Sequence, residues 1–372
     1  MNQKPMRMHN PENERIKRAY LVYLKEARRL SEPSIDAVAA ALSRFEQYTS
    51  YRDFKSFHVQ QAIAFKRRFA EQVSARTGEQ LSKRTVFGTL NSLRAFFQWL
   101  AGQAGYRSRL TYAYADYFSL SEKDTRIAKA RVERPVPTLE QIHHVLQGMP
   151  TETDIDLRNR ALVAFTLLTG ARDGAIVSMK LKHVDVAQGV VTQDAREVHT
   201  KFSKTFITTF FPVGDEVRQI VVDWVHFLIN EKLLGPADPL FPATQVVLGG
   251  EERRFQAGGL SRLHWSNATP IRAIFKAAFE GAGLPYANPH AFRKTLAQLG
   301  ERLCQTPEEF KAWSQNLGHD QVLTTFSSYG NLTGSRQSEL IRSLADRSGK
   351  NSVVDPIGQA MRLLEQARQQ SL

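Results

Sequence analysis

The chain has 372 residues, with 50 Lys and Arg against 37 Asp and Glu, which gives a formal net charge of +13. This length suggests two or three domains, and a 42% hydrophobic and 10% aromatic content excludes wholesale disorder. The single cysteine, Cys304, excludes an internal disulfide framework and a Cys-cluster zinc site. Without an apolar signal region or a run of about 18 apolar residues, we expect a soluble, cytoplasmic protein with no membrane partner.

The positive charge is concentrated in the first third of the chain. Residues 1–134 hold 25 basic and 13 acidic side chains, whereas residues 135–372 hold 25 and 24. A basic block with its own hydrophobic pattern favours a polyanionic partner, because each Lys or Arg placed on a phosphate releases a condensed counterion. The sequence therefore predicts a nucleic-acid partner. A well-solvated surface and an anionic membrane surface are the alternatives.

The first part of the chain has the pattern of a small helical bundle. Three helices are expected over residues 12–30, 33–45 and 59–73. A fourth has the clearest apolar stripe, formed by Val86, Leu90, Leu93, Phe97 and Leu100. Ser82 is its expected N-cap. These stripes predict a hydrophobic core and indicate no chemistry.

A change in composition marks the end of this bundle. Residues 120–137 are charged, lack helical periodicity and end in two prolines, so they are predicted to be a linker. Thr138 and Gln141 then have the spacing of a capping box that opens a new helix. A further helix is expected over residues 155–168, and Gly170 is expected to stop it.

The next segment has the pattern of strands. Turn residues separate β-branched and aromatic runs at 184–186, 190–191 and 206–211, which predicts an antiparallel sheet of two or three strands. Helices are expected again near 215–233 and 268–281, with a Gly- and charge-rich loop at 242–267. The expected fold is mainly α with a small antiparallel β-sheet.

Polar residues of the types that bind anions or take part in catalysis lie at several predicted helix ends. Asn288 and Pro289 are typical of a helix start, and they place His290 and Arg293 on one face beside a terminus that favours anions. Thr306 opens another capping box, and His319 follows the glycine that ends that helix. Each of these signatures alone is weak, and the same holds for Arg172, two residues after Gly170.

The order of five residues along the chain resembles the tyrosine recombinase (phage integrase) family. They are Arg172 in LLTGARDGAIVSMKL, His290 and Arg293 in PHAFRKTL, His319 in NLGHDQVLTTFSSYG, and Tyr329 ten residues later. The resemblance implies a helical core DNA-binding domain and an α+β catalytic domain that form a clamp on DNA. The corresponding boundaries are 1–119 for the first domain, 120–137 for a linker, 138–352 for the catalytic domain and 353–372 for a C-terminal helix or tail.

The resemblance also implies a role for each of these side chains. Tyr329 would be the nucleophile, which leaves a 3′-phosphotyrosyl bond and a free 5′-hydroxyl. Arg172 and Arg293 would bind the non-bridging phosphate oxygens, where charge grows during attack, and His319 would donate a further hydrogen bond. His290 would handle the tyrosine proton. This covalent chemistry requires no cofactor and no metal, and the sequence has no phosphate-binding Gly-x-x-x-x-Gly-Lys-Ser/Thr loop.

A lysine in a β-hairpin supplies the proton to the leaving oxygen in this family. The segment HTKFSKTFITTFFP offers Lys201 and Lys204, and we favour Lys201 by its position before the second strand. Two features depart from the family pattern. Ala175 stands where an acidic residue usually follows the first arginine, with Asp173 as the nearest carboxylate, and the spacing from histidine to tyrosine is ten instead of nine.

The implied partners are double-stranded DNA recombination sites and three further copies of the chain in a tetramer on DNA. Residues 353–370 would be exchanged between protomers, and accessory DNA-bending proteins would fit the same scheme. Three alternatives remain: a type IB topoisomerase-like enzyme, a non-catalytic DNA-binding protein on the same fold, and a metal-dependent transposase, for which no convincing carboxylate triad is found. A phage, an integrative element, a transposon or a housekeeping resolvase would all fit the sequence.

Overall fold

The computed structural model describes residues 9–75, 77–130, 136–200, 203–248 and 255–319. The chain forms two compact units, which divide between Val132 and Glu133. Each unit has its own hydrophobic core. Among the described residues, no helix is both long and apolar enough to cross a membrane. Lys201, Tyr329 and the predicted C-terminal helix at 353–372 lie outside the described residues.

The first unit is helical, and the four helices predicted for it are present. They are α1 (Pro11–Val22), which continues into a π-helical turn (Tyr23–Ala27), α2 (Glu32–Tyr48), α3 (Val59–Ala70) and α4 (Lys83–Ala101). Short 3-10 segments lie at Phe54–Ser56 and Tyr112–Phe118. A fifth helix, α5 (Glu122–Lys129), completes the unit.

Helix α4 confirms the clearest of the predicted patterns. The Oγ atom of Ser82 accepts a hydrogen bond of 3.1 Å from the backbone N–H of Thr85 and so caps the helix start. All five residues of the predicted apolar stripe are at most 2% exposed. Phe97 stacks on Phe57 with ring centroids 3.9 Å apart and meets Phe45 edge-on at 5.3 Å. The core of this unit is therefore largely aromatic.

Helix α5 corrects the first part of the linker predicted over residues 120–137, whereas the division between the two units falls within the predicted range. Its first turn is capped by Ser121, whose Oγ accepts a 3.1 Å hydrogen bond from the backbone N–H of Asp124. Lys83 of α4 pairs with Asp124 at 3.0 Å, and Ala128 is buried. A helix of eight residues is too short to display a period of 3.6, and its stability depends on this packing against α4.

The second unit combines helices with two small sheets. Its helices are α6 (Leu139–Gly148), α7 (Asp154–Thr169), the short α8 (Asp173–Ile176), α9 (Asp215–Asn230), α10 (Thr269–Gly281), α11 (Pro289–Leu303) and α12 (Pro307–Asn316). Thr138, Asn288 and Thr306 cap α6, α11 and α12, as predicted. Helix α7 is buried along its whole second half, from Ala161 to Thr169, so it lies in the centre of the unit.

The predicted antiparallel sheet is confirmed. Strands β1 (Val184–Asp185), β2 (Val190–Gln193) and β3 (Phe206–Thr209) lie in that order, with Val191 of β2 opposite Thr208 of β3. Strand β3 is therefore an edge strand of this sheet. The segment between β2 and β3 contains both candidate lysines.

A second hairpin corrects the prediction of a loop over residues 242–267. Strands β4 (Thr244–Leu248) and β5 (Phe255–Leu260) pair in antiparallel fashion. The alternating pattern typical of a half-buried strand is missing from the sequence here. Val246 and Leu248 lie on the same face of β4 and are both exposed, so no apolar face is buried there. Glycine in β5 also suggested a loop, but a Cβ at Gly258 would approach Cγ1 of Val247 to 2.6 Å. The close approach of the two strands requires this glycine.

Candidate active site

The chain turns sharply between α7 and α8 at the position of Arg172. Gly170 ends α7 with a left-handed φ of 58°. A Cβ at this position would approach Cδ2 of Leu317 to 2.8 Å and Cδ1 of Leu296 to 3.0 Å, so both the backbone and the available space require glycine. Arg172 then takes the N-cap position of α8 and is partly buried, which lowers its pKa. Within the described ranges its guanidinium makes no hydrogen bond, so its donors are available to a ligand.

Arg293 of α11 joins three helices through its guanidinium. The side chain is 5% exposed, and its Nη1 donates to the carbonyl oxygen of Gly170 at the end of α7. Its Nη2 donates at 2.5 Å to the carbonyl oxygen of Leu317 at the end of α12. Such terminal carbonyls have no partner within their own helix. Burial, followed by the charge of Arg172, lowers the pKa of Arg293 to about 9, which still leaves it protonated at pH 7.

His319 contacts the same guanidinium. It follows Gly318, whose φ of 71° ends the turn after α12. Its Nε2 lies 2.9 Å from Nη2 of Arg293. Because a guanidinium can only donate, Nε2 is the acceptor and the ring proton is assigned to Nδ1. Burial, followed by the charges of Arg293 and Arg172, lowers the pKa of His319 to about 4, so the imidazole is neutral at pH 7.

His290 occupies the second position of α11, as predicted. The Oδ1 atom of Asn288 accepts a 3.0 Å hydrogen bond from the backbone N–H of Ala291 and fixes this helix start. The His290 side chain reaches solvent. The surrounding protein, followed by the charges of Arg293 and Arg172, disfavours its protonated form and lowers its pKa. A neutral imidazole at the surface of the site is able to accept a proton.

These four residues act on one another as a single cluster. The charge of Arg172 lowers the pKa of Arg293, His290 and His319 alike. Two guanidiniums beside two neutral imidazoles, at the N-terminus of a helix, form a site for an anion such as a phosphodiester. Such donors stabilise the charge that develops on the phosphate oxygens during nucleophilic attack.

Comparison with known families agrees with this chemistry. The phage integrase family matches residues 136–336, which is more than half of the chain. The chain belongs to the phage integrase family. The N-terminal SAM-like domain of phage integrases matches residues 18–104, within the basic first unit. The chain is therefore a member of the tyrosine recombinases.

Individual relatives of this integrase family member are distant but cover most of its length. The tyrosine recombinase XerC of Stutzerimonas stutzeri (strain A1501) is 25% identical over 318 residues, which are 82% of this chain and 88% of the relative. A lambda integrase dimer bound to a COC′ core site has 13% identity and a TM-score of 0.58, over 86% of this chain and 97% of that chain. A lambda integrase tetramer bound to a Holliday junction has 14% identity and a TM-score of 0.57, over 86% and 79%. These structures share the fold of this recombinase.

The carboxylate nearest to Arg172 has a different partner in this integrase. Ala175, in place of the usual acidic residue, is buried. Oδ2 of Asp173 accepts a 2.8 Å hydrogen bond from Nε of Arg272, and Oδ1 accepts one of 2.9 Å from the backbone N–H of Gly174. Asp173 therefore links α10 to the start of α8 and does not bond to Arg172.

The structure describes one of the two candidate lysines of this recombinase. Lys201 lies outside the described residues, whereas Lys204 lies within them. The charge of Lys204 is among the causes that lower the pKa of His319. The Lys204 side chain and the imidazole of His319 therefore lie within electrostatic range of each other.

Two residues that the sequence analysis missed hold the lysine-bearing segment in place. Glu197 pairs with Lys180 at 2.8 Å and with Lys182 at 2.7 Å. The side-chain amide of Asn316 makes two hydrogen bonds to the backbone of Thr209. No local pattern could reveal these contacts, because the paired residues are 15 to 107 positions apart in the sequence.

Two other histidines of the second unit, His143 and His183, make structural contacts. His143 shares a 2.8 Å hydrogen bond between its Nε2 and the carbonyl oxygen of Val213. Nδ1 of the buried His183 accepts a 3.0 Å hydrogen bond from the backbone N–H of Lys180. Among the described residues, no group of three or more His, Cys, Asp or Glu side chains has the arrangement of a metal site.

Proposed function

We propose that this chain is a site-specific DNA recombinase that cleaves and rejoins strands through a 3′-phosphotyrosyl bond on Tyr329. One observation carries the proposal: Arg293 is buried, fixed by two helix-end carbonyls and hydrogen-bonded to His319. Among the described residues this guanidinium has no carboxylate partner. A buried charge in that position is costly, and a bound phosphate would supply the missing negative charge. Arg172 would provide the second guanidinium.

The first step is an in-line exchange at phosphorus. The Tyr329 oxygen forms a bond to phosphorus while its proton passes to neutral His290, and the bond from phosphorus to the 5′-oxygen breaks. Arg172, Arg293 and His319 bind the non-bridging oxygens, with Nδ1–H as the donor of the imidazole. Rejoining is the same step in reverse, with a 5′-hydroxyl of the same or another strand as the nucleophile. The bond energy stays in the phosphotyrosine, so no nucleotide cofactor enters.

The leaving 5′-oxygen takes its proton from a lysine of the segment between β2 and β3. Sequence position favours Lys201, and Lys204 is the alternative, with its charge within electrostatic range of His319. Sequence position decides for Lys201 as the proposed general acid, with Lys204 as the variant to compare.

Assembly on DNA follows from the charge distribution and the family. The basic first unit, which matches the SAM-like domain, would bind the duplex backbone, and the second unit would cleave one strand. Lambda integrase is found as a dimer on a core site and as a tetramer on a Holliday junction. By analogy, four copies of this chain would exchange strands between two sites, with residues 353–370 passing between protomers and with bending proteins as accessories.

Covalent capture tests the proposal. The protein is incubated in EDTA with a library of nicked genomic DNA and denatured in detergent, and the DNA that stays linked to protein is sequenced. We expect linked DNA that shares one motif and disappears with Tyr329→Phe. Tyr286→Phe removes the hydroxyl of another tyrosine of the second unit and serves as the matched control, so it is expected to stay active.

Each other outcome of this experiment contradicts a defined part of the proposal. Linked DNA without a common motif would indicate a topoisomerase-like enzyme. Linkage that survives Tyr329→Phe would assign the nucleophile elsewhere. A parallel incubation with Mg²⁺ in place of EDTA separates the last two outcomes. No linkage in either incubation would indicate a DNA-binding protein without catalytic activity, and linkage in Mg²⁺ alone would indicate metal-dependent chemistry.

A further inference from the structure

Strand β3 lies along the C-terminal half of α12 and contacts it at three levels. The ring of Phe206 lies against Gly318, where a Cβ would approach Cε2 of the ring to 2.7 Å. The ring of Phe211, just beyond the strand, lies 4.7 Å from that of Trp313. Asn316 contacts the strand between these two apolar contacts. The strand therefore follows the helix end over its whole length.

The Asn316 side chain completes the open edge of β3. Its Oδ1 accepts a 2.7 Å hydrogen bond from the backbone N–H of Thr209, and its Nδ2 donates one of 2.8 Å to the carbonyl oxygen of the same residue. Its own carbonyl oxygen accepts a 3.1 Å hydrogen bond from Oγ1 of Thr208. The amide thus pairs with the strand as the peptide group of a neighbouring strand would. β3 pairs with β2 along its other edge, so the N–H and C=O of Thr209, which face away from β2, are both satisfied by Asn316.

These hydrogen bonds fix the register, which the apolar contacts cannot do. Ring contacts tolerate a slide along the strand, because dispersion and apolar burial have little directionality. A slide by one residue would remove both amide hydrogen bonds and leave the strand edge and the amide unpaired. The position of the hairpin along α12 therefore depends on Asn316.

Both partners of the Asn316–Thr209 pair are close in sequence to residues of the active site. Asn316 precedes His319 by three residues, and the intervening Leu317 is buried with its carbonyl held by Arg293. Thr209, the last residue of β3, follows Lys204 by five residues, and Lys204 lies two residues before the strand. Because the strand is paired on both edges, a shift of β3 at Thr209 would carry the adjoining lysine segment with it and move it relative to Arg293 and His319.

We propose that Asn316 is a positioning residue for proton transfer to the leaving 5′-oxygen. It sets the register of the β2–β3 hairpin on α12 and so places the hairpin lysine beside the phosphate that Arg293 and His319 bind. Asn316 itself touches no reacting atom. The inference rests on the proposed strand-cleavage function, and it assigns a positioning role to Asn316, the first residue of the NLGHDQV segment that carries His319.

A sulfur-substituted DNA separates this role from a general structural one. In such DNA, sulfur replaces the bridging 5′-oxygen at the cleavage site that covalent capture identifies. A thiol, with a pKa of about 8.5, leaves as an anion far more readily than an alcohol, so this substrate needs no general acid. We expect Asn316→Leu to slow cleavage of ordinary DNA by roughly ten- to a hundredfold, part of the usual contribution of a general acid. On the sulfur substrate, its rate should stay within about twofold of wild type, because the step that needs the lysine is bypassed.

The matched control is Gln315→Leu, the same kind of change one position earlier on α12. Gln315 is exposed and its side chain makes no hydrogen bond to another described residue, so this variant should cleave both substrates normally. Lys201→Ala and Lys204→Ala provide the reference, because the variant that lacks the general acid should show the same rescue by sulfur. Thermal melting checks that each variant is folded.

Asn316→Asp serves as a second variant if Asn316→Leu does not fold. The carboxylate still accepts from the backbone N–H of Thr209 but faces its carbonyl oxygen without a donor, so a weaker loss with the same sulfur rescue is expected. Equal losses on both substrates would overturn the inference and assign Asn316 to general stability. Unchanged rates on both would overturn it as well. A wild-type protein that cleaves neither substrate would instead refute the proposed function.

Discussion

Arg293 determines which ring nitrogen of His319 carries the proton. The Nη2 atom of the guanidinium lies 2.9 Å from Nε2 of the imidazole, and the same nitrogen donates to the carbonyl oxygen of Leu317. The imidazole therefore keeps its proton on Nδ1 and stays neutral, with its pKa lowered to about 4 by burial and by the neighbouring guanidiniums. A neutral donor with a fixed tautomer suits a site where two guanidiniums are proposed to bind the phosphate. The two residues form a single unit, and changes to either should affect the other.

The two arginines should respond differently to the same substitution. Arg293→Lys keeps the charge but loses the planar fork, so at least one buried carbonyl of Gly170 or Leu317 is left unpaired, at a cost of about 1–3 kcal/mol. Arg172→Lys removes no hydrogen bond to a described residue and should melt as wild type does. Both variants should cleave DNA at least about a hundredfold more slowly. Equal melting temperatures for the two variants would contradict the structural role of Arg293.

The left-handed turn before Arg172 provides a second test. Gly170→Ala would place a Cβ 2.8 Å from Cδ2 of Leu317 in a backbone conformation that disfavours alanine, and we expect a loss of about 1–3 kcal/mol in unfolding free energy. Gly174→Ala is the control, because no heavy atom lies within 4 Å of its Cβ position and its φ is not positive. Denaturant unfolding of both variants measures the difference. Similar stabilities would show that the turn tolerates a side chain.

The lowered pKa of His319 predicts how the free energy of unfolding depends on pH. Its pKa of about 4 in the folded protein lies below the ordinary value of 6.5, so the unfolded chain binds more protons between these values. The contribution of His319 to stability is therefore complete above about pH 6.5 and is lost as the pH falls toward 4. Melting temperatures of wild type and His319→Gln, measured from pH 7.5 to 4.5, should converge at low pH. A constant difference across this range would contradict the lowered pKa.

DNA affinity should fall steeply with salt. If the basic first unit neutralises six or more phosphates, the dissociation constant should rise about a thousandfold between about 50 and 200 mM salt, because bound cations replace condensed counterions. Full-length Tyr329→Phe allows this measurement without cleavage. A flat response would remove the backbone-binding role of residues 1–134 from the proposal.

Much of the local structure follows from short-range sequence signals. The starts of α4, α6, α11 and α12 were predicted because a cap involves residues only two or three positions apart. The α7 stop at Gly170 was predicted for the same reason. The hairpin β4–β5 and helix α5 were missed, because both depend on packing with the rest of their unit and neither displays a clear hydrophobic period.

The sequence by itself determined the family, the order of the motif residues and the helix ends that carry Arg172, His290, Arg293 and His319. Only the tertiary structure decided which groups these side chains bond to. The carbonyl of Gly170 lies 123 positions before Arg293, and Thr209 lies 107 positions before Asn316. Contacts over such separations depend on how buried helices and strands pack together, and no local propensity encodes the direction of a hydrogen bond between them.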